Sequence, residues 1–395
     1  MKLLHIYDHD YYEKDGIYYS SSVNGKKAFE PYLLHFDTVT VLANLSKKPV
    51  DFSKLDVSSA ERIDFAFANN KRLFGNYVKS YFKEDEYLKE RILAHDGVAV
   101  RLPSELGLFA IEIAKKYKKP YAIEVVGDAW DSYWYHGTLK GKVMAAITEF
   151  RTKKALWHSK FAIYVTQEYL QRVYPMKQGL ARNASNVVLP DTPDIEIYNR
   201  HIERLKNPPA KLRFGLIGTL NVAYKGLEES LKALKSLVGQ MPDFEMLFVG
   251  KGDTTYLEGL IESTGMQQHA VIIGKISSGQ PVFDFLDSLD VYLHPSKHEG
   301  LPRAVIEAMS RACPVLASSI AGTPELLPAK YIHKPGDYQT LAKQIRQVIT
   351  NKDELCEMAK VNFDKSAEYS FTEIRNKKSD FWRLFKEYII KNNKA

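Results

Sequence analysis

The chain is poor in cysteine and has no long uncharged apolar stretch, and both shortages narrow what it can be. Only two cysteines, Cys313 and Cys356, occur among 395 residues. Neither lies in a Cys-x-x-Cys or Cys/His spacing, so a disulfide framework and a structural zinc site are excluded. No uncharged apolar run reaches the roughly 18 residues that a membrane-spanning helix needs. The opening stretch MKLLHIYDHD turns acidic too soon for a secretory leader. Low-complexity tracts and fixed-period repeats are also missing, which excludes solenoid architectures. The expected setting is a reducing cytoplasm.

What is present describes a globular protein, with 45% hydrophobic and 26% charged residues. At roughly 100–200 residues per domain, the chain should form two domains. A net charge of +7 and a pI near 8.9 suit an anionic partner: nucleic acid, a membrane surface or a phosphorylated ligand. The basic residues are spread along the chain without a stacking motif, which argues against nucleic acid. One segment, 137–160, sets Leu139, Val143, Ile147, Phe150 and Trp157 at helical spacing. Lys140, Lys142, Arg151, Lys153, Lys154 and Lys160 flank them. Such a helix either rests on anionic lipid headgroups or, as the simpler expectation, turns its stripe to the core and a basic face to water.

Short β-rich apolar runs alternate with helical patterns, which predicts parallel sheets covered by helices on both faces. The strands expected in the first half are 3–7, 38–43, 98–102, 121–126, 161–166 and 187–190. Those in the second half are 213–218, 245–250, 270–274, 290–294 and 314–318. Between the two series, residues 190–210 contain Pro190, Pro193, Pro208 and Pro209, which places a domain boundary and hinge near residue 200. From Ser370 onward, Phe371, Ile374, Phe381, Leu384, Phe385 and Ile389 keep a rough helical register, so a terminal amphipathic helix needs a surface to cover.

The stretch HEGLPRAVIEAM, 298–309, follows the predicted strand 290–294 and holds two glutamates, Glu299 and Glu307. In open α/β sheets ligands bind beyond the carboxyl ends of strands. Pro302 suits a first helical position, with Leu301 near the cap. Glu299 then precedes the helix and Glu307 lies inside it, with the free amides of Arg303 and Ala304 between them. Two hydroxyl acceptors around an anion-binding helix start match a nucleotide sugar. A hydrolase carboxylate pair and a plain polar loop are the competing readings of the same spacing.

The longer run HPSKHEGLPRAVIEAMSRACPVLASSIAGTPELL, 294–326, closely resembles the donor-binding signature of retaining glycosyltransferases of family 4. The likeness continues, in the same order, through IGTLNVAYKGLEESLKAL (217–234), VGKG (249–252) and IIGKI (272–276). In the first half, EVVGDAWDSYWYHG (124–137) resembles a stretch of bacterial polysaccharide members. The resemblance implies an α/β fold of the GT-B type, with two Rossmann-like parallel-sheet domains facing across a cleft. It implies an acceptor-binding domain over 1–200, a nucleotide-sugar-binding domain over 201–365, and a C-terminal helix over 366–395 returning to the first.

Carried over by position, the resemblance makes Glu307 the acceptor of ribose hydroxyls and Glu299 a contact to the donor sugar. Lys225 binds the diphosphate, and the amides around Gly300, Leu301, Arg303 and Ala304 hold sugar or phosphate. Gly274 and Lys275 mark the base site. Gly218 ends the first strand of the second domain, and Thr219 stands after it where many family members carry an arginine, a contact that Arg303 could replace. The usual glycine pair of the first N-terminal loop is also absent. The expected ligand is a nucleotide sugar, a UDP-sugar, with no prosthetic group and no required metal. The expected acceptor is a glycan or polyprenyl-linked glycan, with peripheral contact at the inner face of the cell membrane.

Asp8-His9-Asp10 has the Asp-x-Asp form of metal-dependent sugar transferases, yet it lies far ahead of the nucleotide signature. Asp128, Asp131 and His136 follow the strand 121–126 on the acceptor side. Asp128 there either takes a proton from the acceptor, joining Lys225 and Glu299 as a catalytic group, or caps a turn. The expected activity is retaining transfer of a sugar from a nucleotide donor to a bacterial surface polysaccharide. A UDP-sugar epimerase and a non-catalytic membrane- or nucleic-acid-binding scaffold are the alternatives.

Overall fold

The computed structural model describes residues 1–20, 25–68, 85–134, 138–191 and 194–393. They divide into two compact units. The first comprises Met1–Asn186 with Ile374–Ala395, and the second Val187–Glu373.

The strands of the first unit are β1 (Lys2–Lys14), β2 (Ile17–Ser20), β3 (Thr38–Leu45), β4 (Asp56–Val57), β5 (Ile63–Phe67), β6 (Gly97–Leu102), β7 (Tyr121–Val125), β8 (Phe161–Tyr164) and β9 (Leu180–Asn183). The parallel layer runs β5-β3-β1-β6-β7-β8-β9, while β2 and β4 extend the far end of β1 as an antiparallel ribbon. Every residue of β6 is buried, the signature of a central strand covered on both faces. The C-terminal helix Phe371–Asn393 supplies much of that cover. Phe381, Trp382, Phe385 and Ile389 are fully buried, and a Cβ on Gly97 would stand 2.5 Å from Ile389. Lys378 Nζ donates to Asn186 Oδ1 at 2.9 Å, and His35 Nε2 lies 2.9 Å from Ser379 Oγ.

The second unit holds β10 (Leu212–Ile217), β11 (Phe244–Val249), β12 (Ala270–Gly274), β13 (Val291–His294), β14 (Val315–Ser318) and β15 (Ile332–His333), in the order β12-β11-β10-β13-β14-β15. All pairs are parallel. Strand numbers fall toward β10 and rise from β13, so the order reverses between these two. That is where doubly wound sheets open a crevice for ligands.

Four expectations change. Residues 187–190 do not form a strand; Leu189 makes only an isolated bridge with Ser370, and Pro190 has no N–H to continue a ladder. Conversely, β5 went unread because it is an edge strand in which Ile63 and Ala66 are buried while Asp64 is exposed. The prolines around residue 200 bracket a helix, Ile195–Lys206, capped by Asp194 and lying within the second unit. Finally, the helix Leu139–Trp157 turns its apolar stripe to solvent: Leu139, Val143, Ile147, Phe150 and Trp157 are all exposed. Its buried face is instead Gly141, Ala145, Thr148, Arg151, Thr152, Ala155 and Leu156.

Candidate functional site

The loops after β10 and β13 flank the reversal point, and glycines let them meet. A Cβ on Gly250, after β11, would fall 1.5 Å from the carbonyl oxygen of Gly218. Gly226 adopts φ +74°, and a Cβ there would stand 2.3 Å from the Pro295 oxygen. Only glycine permits both the left-handed turn and this approach. The short turn Ala223–Lys225 is thereby pressed against the loop after β13. There Lys297 N donates to Tyr224 O at 2.7 Å, and Ser296 Oγ lies 3.0 Å from the same oxygen.

This clamp brings Lys225 to Glu299. Lys225 Nζ lies 2.6 Å from Glu299 Oε1, and His294 Nε2 lies 3.0 Å from the same oxygen. His294 Nδ1 is 3.4 Å from Tyr292 OH, which accepts from Ile217 N at 3.3 Å. One proton assignment satisfies the whole chain: Ile217 N–H to Tyr292, Tyr292 O–H to Nδ1, and Nε2–H to the carboxylate. Burial works against a charge on Glu299, but Lys225 and then His294 hold its carboxyl well below the ordinary carboxylate range. Glu299 is therefore a fixed anion with Oε2 left over.

Glu307 contrasts with it. The helix Arg303–Ser310 begins one residue later than the sequence suggests. Pro302 is its N-cap, in an extended conformation, and its carbonyl accepts from Val305 N at 3.2 Å and Ile306 N at 3.3 Å. The amides of Arg303 and Ala304 have no partner among the described residues. Glu307 lies on the second turn, half-buried, and its carboxylate has no hydrogen-bond donor among the described residues. Burial raises its pKa, with Arg303 one turn earlier opposing.

The other anticipated residues line the same sheet edge. Gly218 and Thr219 follow β10, and the side chain of Lys225 lies 3.3 Å from where a Gly218 Cβ would be. Gly274 closes β12 with φ +81°, its oxygen accepting from Gly250 N at 2.9 Å, and Lys275 follows it, exposed. Gly300 accepts from Gly322 N at 3.0 Å, which ties the glutamate loop to the loop after β14, while Leu301 is buried beneath. Tyr292 and His294 were missed, because within an apolar strand nothing marks them as polar partners of Glu299.

In the first unit, Asp128 is occupied structurally. Its Oδ1 accepts from Trp130 N at 2.9 Å and Tyr174 OH at 2.8 Å, and its Oδ2 from Tyr169 OH at 3.1 Å. A buried carboxylate held by these donors is a turn cap, with one acceptor position left on Oδ2. Asp131 is half-buried at the start of the short helix Asp131–Trp134, and His136 lies outside the described residues. Asp8 sits within β1, not after it, and accepts from Ser104 Oγ at 3.0 Å and Leu106 N at 3.2 Å, at the start of the helix Glu105–Lys116. Among the described residues no cluster of three His, Cys, Asp or Glu side chains could hold a metal ion.

Comparison with known proteins identifies the family. The family model described as glycosyl transferases group 1 matches residues 198–365. Protein CapJ of Staphylococcus aureus is 32% identical over 353 residues, covering 89% of this chain and 87% of CapJ. The putative teichuronic acid biosynthesis glycosyltransferase TuaC of Bacillus subtilis is 30% identical over 153 residues, 36% of each chain. Among solved structures, Anabaena HepE in complex with UDP-glucose superposes with a TM-score of 0.66 at 15% identity, covering 96% of this chain and 98% of that one. The solved neighbours are GT-B glycosyltransferases, which fixes the fold.

Proposed function

Because this chain belongs to the glycosyl transferases group 1 family, we propose that it moves a sugar, with retention, from a UDP-sugar to a growing bacterial polysaccharide or lipid-linked glycan. The first unit receives the acceptor and the second holds the donor. The observation that carries this reading is Glu307: a half-buried carboxylate that has no hydrogen-bond donor among the described residues, beside the helix-start amides of Arg303 and Ala304, which have no partner among them either. Ribose hydroxyls supply the missing donors, and the diphosphate takes the amides. The HepE complex with UDP-glucose and the teichuronic acid relative support the choice of donor and pathway class.

In the reaction, the bond between the anomeric carbon and the β-phosphate oxygen breaks as the acceptor oxygen bonds to that carbon from the same face. The acceptor proton passes to the departing phosphate, so no enzymic nucleophile or base is required, and Asp128 has no part in it. Lys225 gives one of its three N–H donors to Glu299 and directs its charge at the leaving diphosphate. Glu299 keeps Oε2 for a sugar hydroxyl. The Tyr292–His294 chain holds that carboxylate in place, which lets it act without reorganising.

The test is thermal unfolding with UDP, GDP, ADP and CMP in turn, for the wild type and Glu307→Ala. A ligand that binds only the folded state at ~100 times its dissociation constant adds ~2.7 kcal/mol. UDP alone should stabilise the wild type, and the variant should lose that response. A response to GDP or ADP instead would overturn the donor assignment, and an unchanged response in the variant would overturn the role of Glu307.

A further inference from the structure

We propose that the helix Leu139–Trp157 is a docking surface for an anionic lipid bilayer, lying flat in the headgroup layer. The proposal goes beyond the sugar-transfer reading and does not depend on it. The helix is packed inside out. Small and polar residues, Gly141, Ala145, Thr148, Thr152 and Ala155, face the protein, while the large apolar ones face water. Leu139 is 80% exposed and Phe150 68%.

The orientation is enforced by polar bonds on the inner face. Arg151 Nη1 pairs with the buried Glu105 Oε2 at 2.8 Å, Thr148 Oγ1 donates to Glu105 Oε1 at 2.9 Å, and Thr138 caps the helix start through Gly141 N at 3.0 Å. Rolling the helix to bury its stripe would separate a buried ion pair, a costly exchange. The stripe therefore stays outside, open to a partner beyond this chain.

Charge selects the partner. At 100° per residue, Lys142 and Lys153 fall on one side of the stripe, and Lys140 and Lys154 on the other. Residues 138–160 hold five lysines against a single glutamate, Glu149, which pairs with Lys153. Lys115, at the end of the adjacent helix Glu105–Lys116, adds a further cation close to Lys154. Beyond the helix start, Trp134 is exposed, with Lys142 Nζ 5.2 Å from its ring centre. An apolar strip edged by lysines and bearing Leu, Phe and Trp is built for an anionic interface. A second copy would bring lysines against lysines. No helix among the described residues is long and apolar enough to cross a membrane.

The experiment is co-sedimentation of the full chain with vesicles of phosphatidylglycerol and phosphatidylcholine, against vesicles of phosphatidylcholine alone, without nucleotide. Each lysine near an anionic surface contributes roughly five-fold to binding. The wild type should bind the anionic vesicles at least about ten-fold more tightly than the neutral ones, and added salt should weaken that binding. Phe150→Ser with Trp157→Ser should lose most of it, as should Lys140→Glu with Lys154→Glu. Both variants should keep the wild-type thermal transition, which separates lost docking from lost folding. Absence of vesicle binding in the wild type, or equal binding by both variants, would overturn the proposal. So would a concentration-dependent dimer abolished by Phe150→Ser with Trp157→Ser, which would assign the face to a second copy.

Discussion

Replacing Lys225 with methionine removes a charge while keeping the length of the stem, so it isolates the ion pair that organises the site. The Lys225 and Glu299 side chains are 19% and 13% exposed and meet at 2.6 Å. A surface pair is worth ~0–1 kcal/mol, whereas breaking a fully buried one costs ~3–5 kcal/mol. At this intermediate depth, with His294 still 3.0 Å from the same oxygen, a loss of about 2 kcal/mol is expected at neutral pH. The pH dependence has a definite sign. Glu299 is depressed below its ordinary 4.5 against the cost of burial, chiefly by Lys225. A depressed carboxylate stabilises the fold fully above its unfolded pKa, and that stabilisation is lost as pH falls toward the folded value.

The methionine variant has lost the larger of the two pulls on Glu299, so it differs most from the wild type near neutral pH. The gap should narrow once the pH drops below about 4.5. Urea unfolding followed by far-ultraviolet circular dichroism, near neutral pH and again near pH 4, measures this; all four tryptophans lie in the first unit, so their fluorescence serves as a control that the first unit is unchanged. An equal destabilisation at both pH values would refute the argument, because the cost would then come from packing and not from the pair. Sugar transfer gives a second readout. Loss of a group that stabilises charge in the transition state costs ~2.7–4 kcal/mol, or ~100–1,000-fold in rate. Near-normal turnover would remove Lys225 from the mechanism.

Two further substitutions probe how the units support the site. Gly226→Ala forces a Cβ to within 2.3 Å of the Pro295 oxygen at φ +74°; it should cost ~1–3 kcal/mol and abolish the UDP response in thermal unfolding, and full retention of that response would mean the Lys225 turn tolerates displacement. Trp382→Ala empties a fully buried position under the first sheet and should cost ~3–5 kcal/mol in urea, while saturating UDP still protects the second unit against proteolysis. Loss of that protection would show that the donor site depends on the packing of the C-terminal helix.

Much of the fold is legible because fully buried parallel strands read as unbroken apolar runs. β13 and β14 are buried at every position, and all five strands read in the second half are present. β5 escaped because an edge strand dilutes its apolar residues with charge. The helix Leu139–Trp157 shows a deeper limit. Periodicity finds a stripe but does not say which side of it faces in. That is decided by Glu105, 46 positions before its partner Arg151, so no local window contains the answer.

The two glutamates of the stretch 298–309 make the same point about chemistry. In the sequence they are equivalent carboxylates eight positions apart. In the fold their environments push them in opposite directions. Glu299 is held ionised by Lys225 and His294, while burial alone makes charge costly for Glu307. Divergent environments around like groups mark divided labour. A carboxylate already satisfied by protein donors can be a fixed reference for a sugar. One left without donors gains most from hydroxyls that a ligand brings, and this asymmetry, more than the spacing, is what makes the pair read as a nucleotide-sugar site.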